Sequence, residues 1–127
     1  MSGKGNEHAV CWAEIPVTDM ERGKAFYGTV LGIELVDNNA GPNPMADFPT
    51  SDPKKGIAGH LYPGKPAPKG TGNTIHLVAS DPLDRVMERV KAAGGEVVSP
   101  AIDIPAGSFF YAHDPDGNSI GLFNFKS

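Results

Sequence analysis

An internal repeat restricts this chain more than any other feature. Ala13-Glu14-Ile15-Pro16-Val17-Thr18-Asp19 leads into a helical pattern, and Ile75-His76-Leu77-Val78-Ala79-Ser80-Asp81 does the same about 62 positions later. Each run continues to glycine (Gly32; Gly94-Gly95) and then to a short apolar strand, Ile33-Glu34-Leu35-Val36 or Glu96-Val97-Val98. A repeated supersecondary unit cannot bury its apolar face alone, so the two copies must shelter one another. The length, 127 residues, suits one compact domain built from both.

Residues 8–17 read as a strand with Ala13, Ile15 and Val17 on one face and Trp12, Glu14 and Pro16 on the other. Cys11 shares the phase of Ala13, so a buried thiol is expected. Thr18-Asp19-Met20-Glu21 reads as a capping box opening a helix that runs to about Leu31 and stops at Gly32. Met20, Gly23, Tyr27 and Val30 make its apolar stripe, with Phe26 beside it. Strands are expected at 33–37, 45–49 and 56–62, after which the Pro- and Gly-rich residues 63–72 form a linker. In the second unit Ile75, Leu77 and Ala79 oppose Thr74, His76 and Val78. Asp81 is expected to cap a helix with Pro82 at its first position and Leu83, Val86, Met87, Val90 and Ala93 as its stripe. Strands follow at about 96–104, 107–113 and 118–125, with the turn Asp114-Pro115-Asp116-Gly117 between the last two. Each unit is therefore a strand, a helix and three strands. The aliphatic rows face the helices, and by alternation Trp12, Glu14, Thr74 and His76 face the other way.

Composition narrows the function. The net charge of −4 and the lack of a basic cluster exclude nucleic acid as the expected partner. A single cysteine rules out an intrachain disulfide and a cysteine metal site, and fits a reducing compartment. The polar start, Met1-Ser2-Gly3-Lys4-Gly5-Asn6, lacks the apolar core of a signal peptide, and no segment has the length of a membrane span. A cytoplasmic protein with no membrane partner is expected. No glycine-rich phosphate loop follows a strand, and no serine-centred nucleophile elbow occurs.

Taken in order, Trp12 to Asp19, Lys24-Ala25-Phe26-Tyr27, Val30-Leu31-Gly32, Ala92-Ala93-Gly94-Gly95 and Asp114-Pro115-Asp116-Gly117-Asn118 resemble the vicinal oxygen chelate superfamily. That superfamily includes glyoxalase I, bleomycin-resistance proteins and extradiol dioxygenases. The resemblance covers nearly the whole chain. It implies an α+β fold in which two βαβββ modules form a cup-shaped mixed sheet with helices on the convex face. Here module one spans 8–62 and module two spans 73–125 of a single domain, 1–127. It also implies a site on the concave side and a homodimer, with modules that sometimes pair across subunits. Metal-dependent members hold a divalent ion at positions that fall here on Trp12, Thr74, Gly121 and His60 or its neighbour Gly59. Only His60 is a ligand type, and a catalytic metal needs about three. The expectation is therefore a protein with no metal and no cofactor.

Glu14 and His76 are equivalent under the repeat and are the candidate catalytic pair, since a carboxylate beside an imidazole can orient it for acid–base work near neutral pH. The same residues also read as a structural ion pair or a solvated wall. Trp12 either stacks on a ligand or plugs the space of a metal. His60, Thr74, Tyr111 and Phe123 are candidate ligand-binding residues. The phase of 107–113 is unreadable because Phe109, Phe110 and Tyr111 run together. His8 and His113 are expected at the surface. The expected function is binding of a small organic molecule in the cup, with acid–base chemistry as a further step. The rivals are a metal-dependent lyase or isomerase of glyoxalase type and an antibiotic-binding protein of bleomycin-resistance type.

Overall fold

The computed structural model describes residues 5–52 and 54–126. The first unit comprises β1 (Trp12–Val17), α1 (Met20–Leu31), β2 (Val36–Asn38), β3 (Met45–Asp47) and β4 (Ala58–Pro63). The second comprises β5 (Ile75–Val78), α2 (Leu83–Ala92), β6 (Glu96–Val97), β7 (Ile102–Ile104), β8 (Gly107–His113) and β9 (Ser119–Phe125). The result is α+β, with a sheet of order β1-β4-β3-β2 and a second of order β5-β9-β8-β6, β7 pairing with β8. In each sheet the first strand pairs in parallel with the last, β1 with β4 and β5 with β9, and the other ladders are antiparallel. This repeats one topology twice. No ladder joins β1 to β5, so the inner edge of each sheet is unpaired among the described residues.

Alternation places Ile15 and Val17 in the core and leaves Trp12 and Glu14 exposed. A single apolar cluster spans both units, uniting Val17, Phe26, Tyr27 and Val30 with Val86, Val90, Phe110 and Leu122. Each fully buried valine contributes about 1.5–3 kcal/mol relative to exposure. The helices pack against each other as well as their sheets. Gly32 ends α1 at φ 67°, a left-handed conformation that glycine adopts without a Cβ clash.

Several local expectations are corrected. The N-cap of α1 is Asp19, whose carboxylate accepts from the Arg22 backbone N–H at 3.1 Å. Thr18 is instead drawn to the second unit, where its hydroxyl donates to Asp116 Oδ1 at 2.5 Å. Asp81 does not cap α2; it pairs with Arg89 at 2.6 Å, and the cap position falls on Pro82, which makes no side-chain cap bond. Pairing starts at Trp12 rather than at residue 8, and Cys11 is therefore exposed, with no strand alongside it among the described residues. The strand expected at 96–104 is split into β6 and β7. Pro100 has no N–H to give a ladder, and the Ser99 hydroxyl substitutes by accepting from the Tyr111 backbone N–H at 2.9 Å. His113 is only partly exposed, at 18% of its side chain, and lies 3.2 Å from Glu96.

Candidate functional site

On the helix-free face of the first sheet, cross-strand register sets Glu14 (β1) beside His60 (β4) and His60 beside Asp47 (β3). Gly59 lies on the other, buried face, so His60 is the member of that pair on the exposed side. The Trp12 indole N–H donates to His60 Nδ1 at 2.9 Å. An indole nitrogen is only a donor, so this bond requires a lone pair on Nδ1 and leaves Nε2 to carry the proton of the neutral ring. Trp12 remains 44% exposed. Asp47 accepts from Asn38 Nδ2 through Oδ2, while its buried Oδ1 has no hydrogen-bond partner among the described residues.

The second sheet carries a different surface. In β8, Phe110 and Ala112 are buried and Phe109, Tyr111 and His113 face the opposite way, which resolves the phase that three consecutive aromatics had hidden. Register places His76, Gly121 and Tyr111 in one row and Val78, Phe123 and Phe109 in the next. His76 is thereby ringed by Phe109 at 5.3 Å, Tyr111 at 5.7 Å and Phe123 at 6.4 Å between centroids. Phe109 and Phe123 are stacked at 5.8 Å with 6° between planes. The imidazole occupies the space above Gly121, where any Cβ would collide with it. Thr74 shares a hydrogen bond of 2.6 Å with Ser119.

Glu14 and His76 are not brought together within one chain. No hydrogen bond or ion pair joins them among the described residues, and they line separate hollows. Glu14 belongs to a hollow of about 240 Å³ with Pro16, Asn73 and Ser119. His76 belongs to an aromatic hollow of about 450 Å³ with Phe109, Phe123 and Phe125. Of the other candidates, Trp12 and His60 are joined on the first sheet, and Tyr111 and Phe123 surround His76 on the second. Sequence reasoning missed Asp47 and Phe109. A three-residue strand such as β3 shows too little alternation to phase, whereas the pairing of Phe109 with Phe123 could have been sought from the turn at 114–117 that sets the register of the last hairpin.

The repeated topology, the order of its elements and the exposed sheet faces define a glyoxalase-like protein. The chain belongs to the Glyoxalase/Bleomycin resistance protein/Dioxygenase superfamily, whose profile matches residues 8–122. It is 33% identical over 120 residues to the proteins named "Putative glyoxylase CFP32" of Mycobacterium bovis and Mycobacterium tuberculosis, an alignment covering 88% of this chain. It spans only 44% of the length of those relatives. Among solved structures, a glyoxalase/bleomycin resistance protein from Albidiferax ferrireducens T118 is similar with a TM-score of 0.73 and 22% identity, covering 94% of this chain and all of that one. The fosfomycin resistance protein FosX from Listeria monocytogenes is similar with a TM-score of 0.68 and 19% identity, covering 96% of this chain and 94% of that one. Both share the fold.

The residues at the positions where metal-dependent members hold an ion do not fit one. Thr74 is engaged with Ser119, Gly121 offers no side chain, and Trp12 spends its one polar atom on the nitrogen of His60. No group of three or more His, Cys, Asp or Glu side chains converges among the described residues. No helix among them is long and apolar enough to cross a membrane.

Proposed function

We propose that this single-domain chain binds a small organic molecule on its helix-free sheet faces without the metal that other members use, and that it does so as a homodimer. The observation that carries the reading is the ring of Phe109, Tyr111 and Phe123 around His76. A concave, mostly apolar surface with one convergent polar group is what a small-molecule site requires. The polar row Trp12, Glu14 and His60 lies on the other sheet, and a second subunit is one way to set such a row opposite the aromatic wall. Thr74, at the edge of that wall, is assigned to hydrogen-bonding a ligand. In the acid–base form of this function Glu14 accepts a proton and His76 exchanges one with the bound molecule.

The test is calorimetric screening of small aromatic and polar compounds against the parent, His76→Ala and Glu14→Ala, with metal content measured on protein purified without an affinity tag. A compound that binds the parent and is weakened about tenfold or more by either substitution supports the reading. Equal binding by both variants, or a stoichiometric divalent ion in the purified protein, overturns it.

A further inference from the structure

A third hollow, of about 490 Å³, lies at the seam between the two sheets, running from the helix-facing rows of β1 and β5 round to Thr74, His76 and Val78 at the edge of β5. Its walls are Ile15 from β1, Leu31 and Ile33 from the end of α1, Phe48 after β3, and Ile75 and Leu77 from β5. Among the described residues no lysine, arginine, aspartate or glutamate lines it, and its polar side chains are confined to Thr50, Thr74 and His76. Three apolar residues at its border are exposed to an unusual degree: Val10 by 67%, Val78 by 58% and Ile57 by 43%. An apolar rim around an apolar hollow marks a place where hydrocarbon, not water, is the favoured content. The seam-facing edge of β5 runs along the hollow with its backbone N–H and C=O groups unpaired by any neighbouring strand among the described residues. Such groups are strong donors and acceptors that gain from a polar partner.

We propose that this seam hollow is a binding site for a neutral medium-chain alkyl compound, such as an alcohol, aldehyde or ester. Its chain lies among Ile15, Leu31, Ile33, Phe48 and Leu77, and its oxygen meets the free edge of β5. The neutral class follows from the lining: a carboxylate or ammonium head would find no opposite charge there, and desolvating it unpaired is costly. The volume falls within the range of small-molecule sites, about 300–1,000 Å³. The hollow shares Thr74 and His76 with the proposed site, but the inference rests on its aliphatic wall of Ile15, Leu31, Ile33, Phe48 and Leu77, which the proposed function does not use.

The experiment is titration of the full chain with straight-chain alcohols from butanol to dodecanol, followed calorimetrically. One-to-one binding is expected to tighten about fourfold for each added methylene until the hollow is full. Ile33→Trp and Leu31→Trp each fill the hollow and are expected to abolish binding, with folding checked by circular dichroism. Glu14→Ala is expected to bind decanol as the parent does. Should one tryptophan variant fail to fold, the other and the chain-length series still decide. Affinity that does not change with chain length, or decanol binding unaltered in a folded tryptophan variant, overturns the proposal. So does a parent that binds no alcohol; if its dimer also falls apart in Val10→Asp or Ile57→Asp, the occupant is a second copy of the chain.

Discussion

Buried Tyr27 donates from its hydroxyl to Asp114 Oδ2 at 2.6 Å. Burial, followed by the charge of Asp114, pushes its phenol well above the ordinary value of 10.0. The unfolded chain therefore releases this proton before the folded one does. The stability tied to the neutral phenol is intact below about pH 10 and is lost as pH rises from there toward the folded value. In Tyr27→Phe, Asp114 loses one of its donors while keeping the Asp116 and Asn118 backbone amides and the Asn118 side chain. A loss of about 1–3 kcal/mol is expected in urea unfolding at neutral pH, together with a flatter alkaline limb than the parent. Gly121→Ala is a second test at this scale. Its methyl group would evict the His76 imidazole from its place above β9, and imidazoles are mobile enough to turn away. We expect a destabilisation of about 1–3 kcal/mol with the fold retained. Nuclear magnetic resonance should show the His76 ring protons losing the upfield shifts that Phe109, Tyr111 and Phe123 impose; unchanged shifts would remove Gly121 from this role.

Among the elements, the helices and long strands were legible because their periodicity is strong. Helix α1 ends at Gly32 and strand β8 runs from Gly107 to His113, as the spacing of glycines and turn residues indicates. The errors are those of competing partners. Thr18 and Asp19 are both good caps, and local sequence cannot reveal that Asp116, far along the chain, claims the Thr18 hydroxyl. Asp81 likewise finds Arg89 two turns on. The site was legible only as two halves: alternation put Trp12, Glu14, Thr74 and His76 on the helix-free side, but whether two sheets share one hollow depends on packing between units, which no short-range pattern encodes. The cap assignment has its own check. Asp19→Ala should cost about 0.5–2 kcal/mol in thermal or urea unfolding, whereas Glu21→Ala, which a capping box would make comparable, should cost less. At the linker, Lys69 holds Glu96 at 2.9 Å and His113 lies on its other side, and Lys69 first and His113 second draw the Glu96 carboxyl below its usual range. Its contribution is present above the ordinary carboxylate range and is lost as pH falls through the lowered value. Limited proteolysis of residues 63–72 should accordingly quicken in acid, and Lys69→Ala should show that quickening already at neutral pH.

The whole molecule is held together at one corner by polar contacts between its halves. Arg22 reaches Asp116 at 2.7 Å, the Thr18 hydroxyl bonds the same carboxylate, and Asn118 Nδ2 donates to the Pro16 carbonyl at 2.8 Å. The Asp116 side chain is only 5% exposed, so removing it leaves Arg22 and Thr18 short of a sheltered acceptor. Because Arg22 is itself 46% exposed and water can take over its charge, Asp116→Ala is expected to cost about 1–2 kcal/mol. Because the contact joins the two units, the variant should unfold over a broader denaturant range; an unaltered slope and midpoint would show that the apolar cluster alone unites the halves. These ties also bear on synthesis. Pro16 must wait for Asn118, 102 residues later, and Tyr27 for Asp114, 87 residues later. At about 5–20 residues per second, a ribosome exposes the leading half for roughly 5–20 s before its counterpart emerges. During that interval β1 has both Trp12 and Ile15 uncovered and no lock to close, so the nascent chain is the form of this protein most in need of a chaperone's shelter.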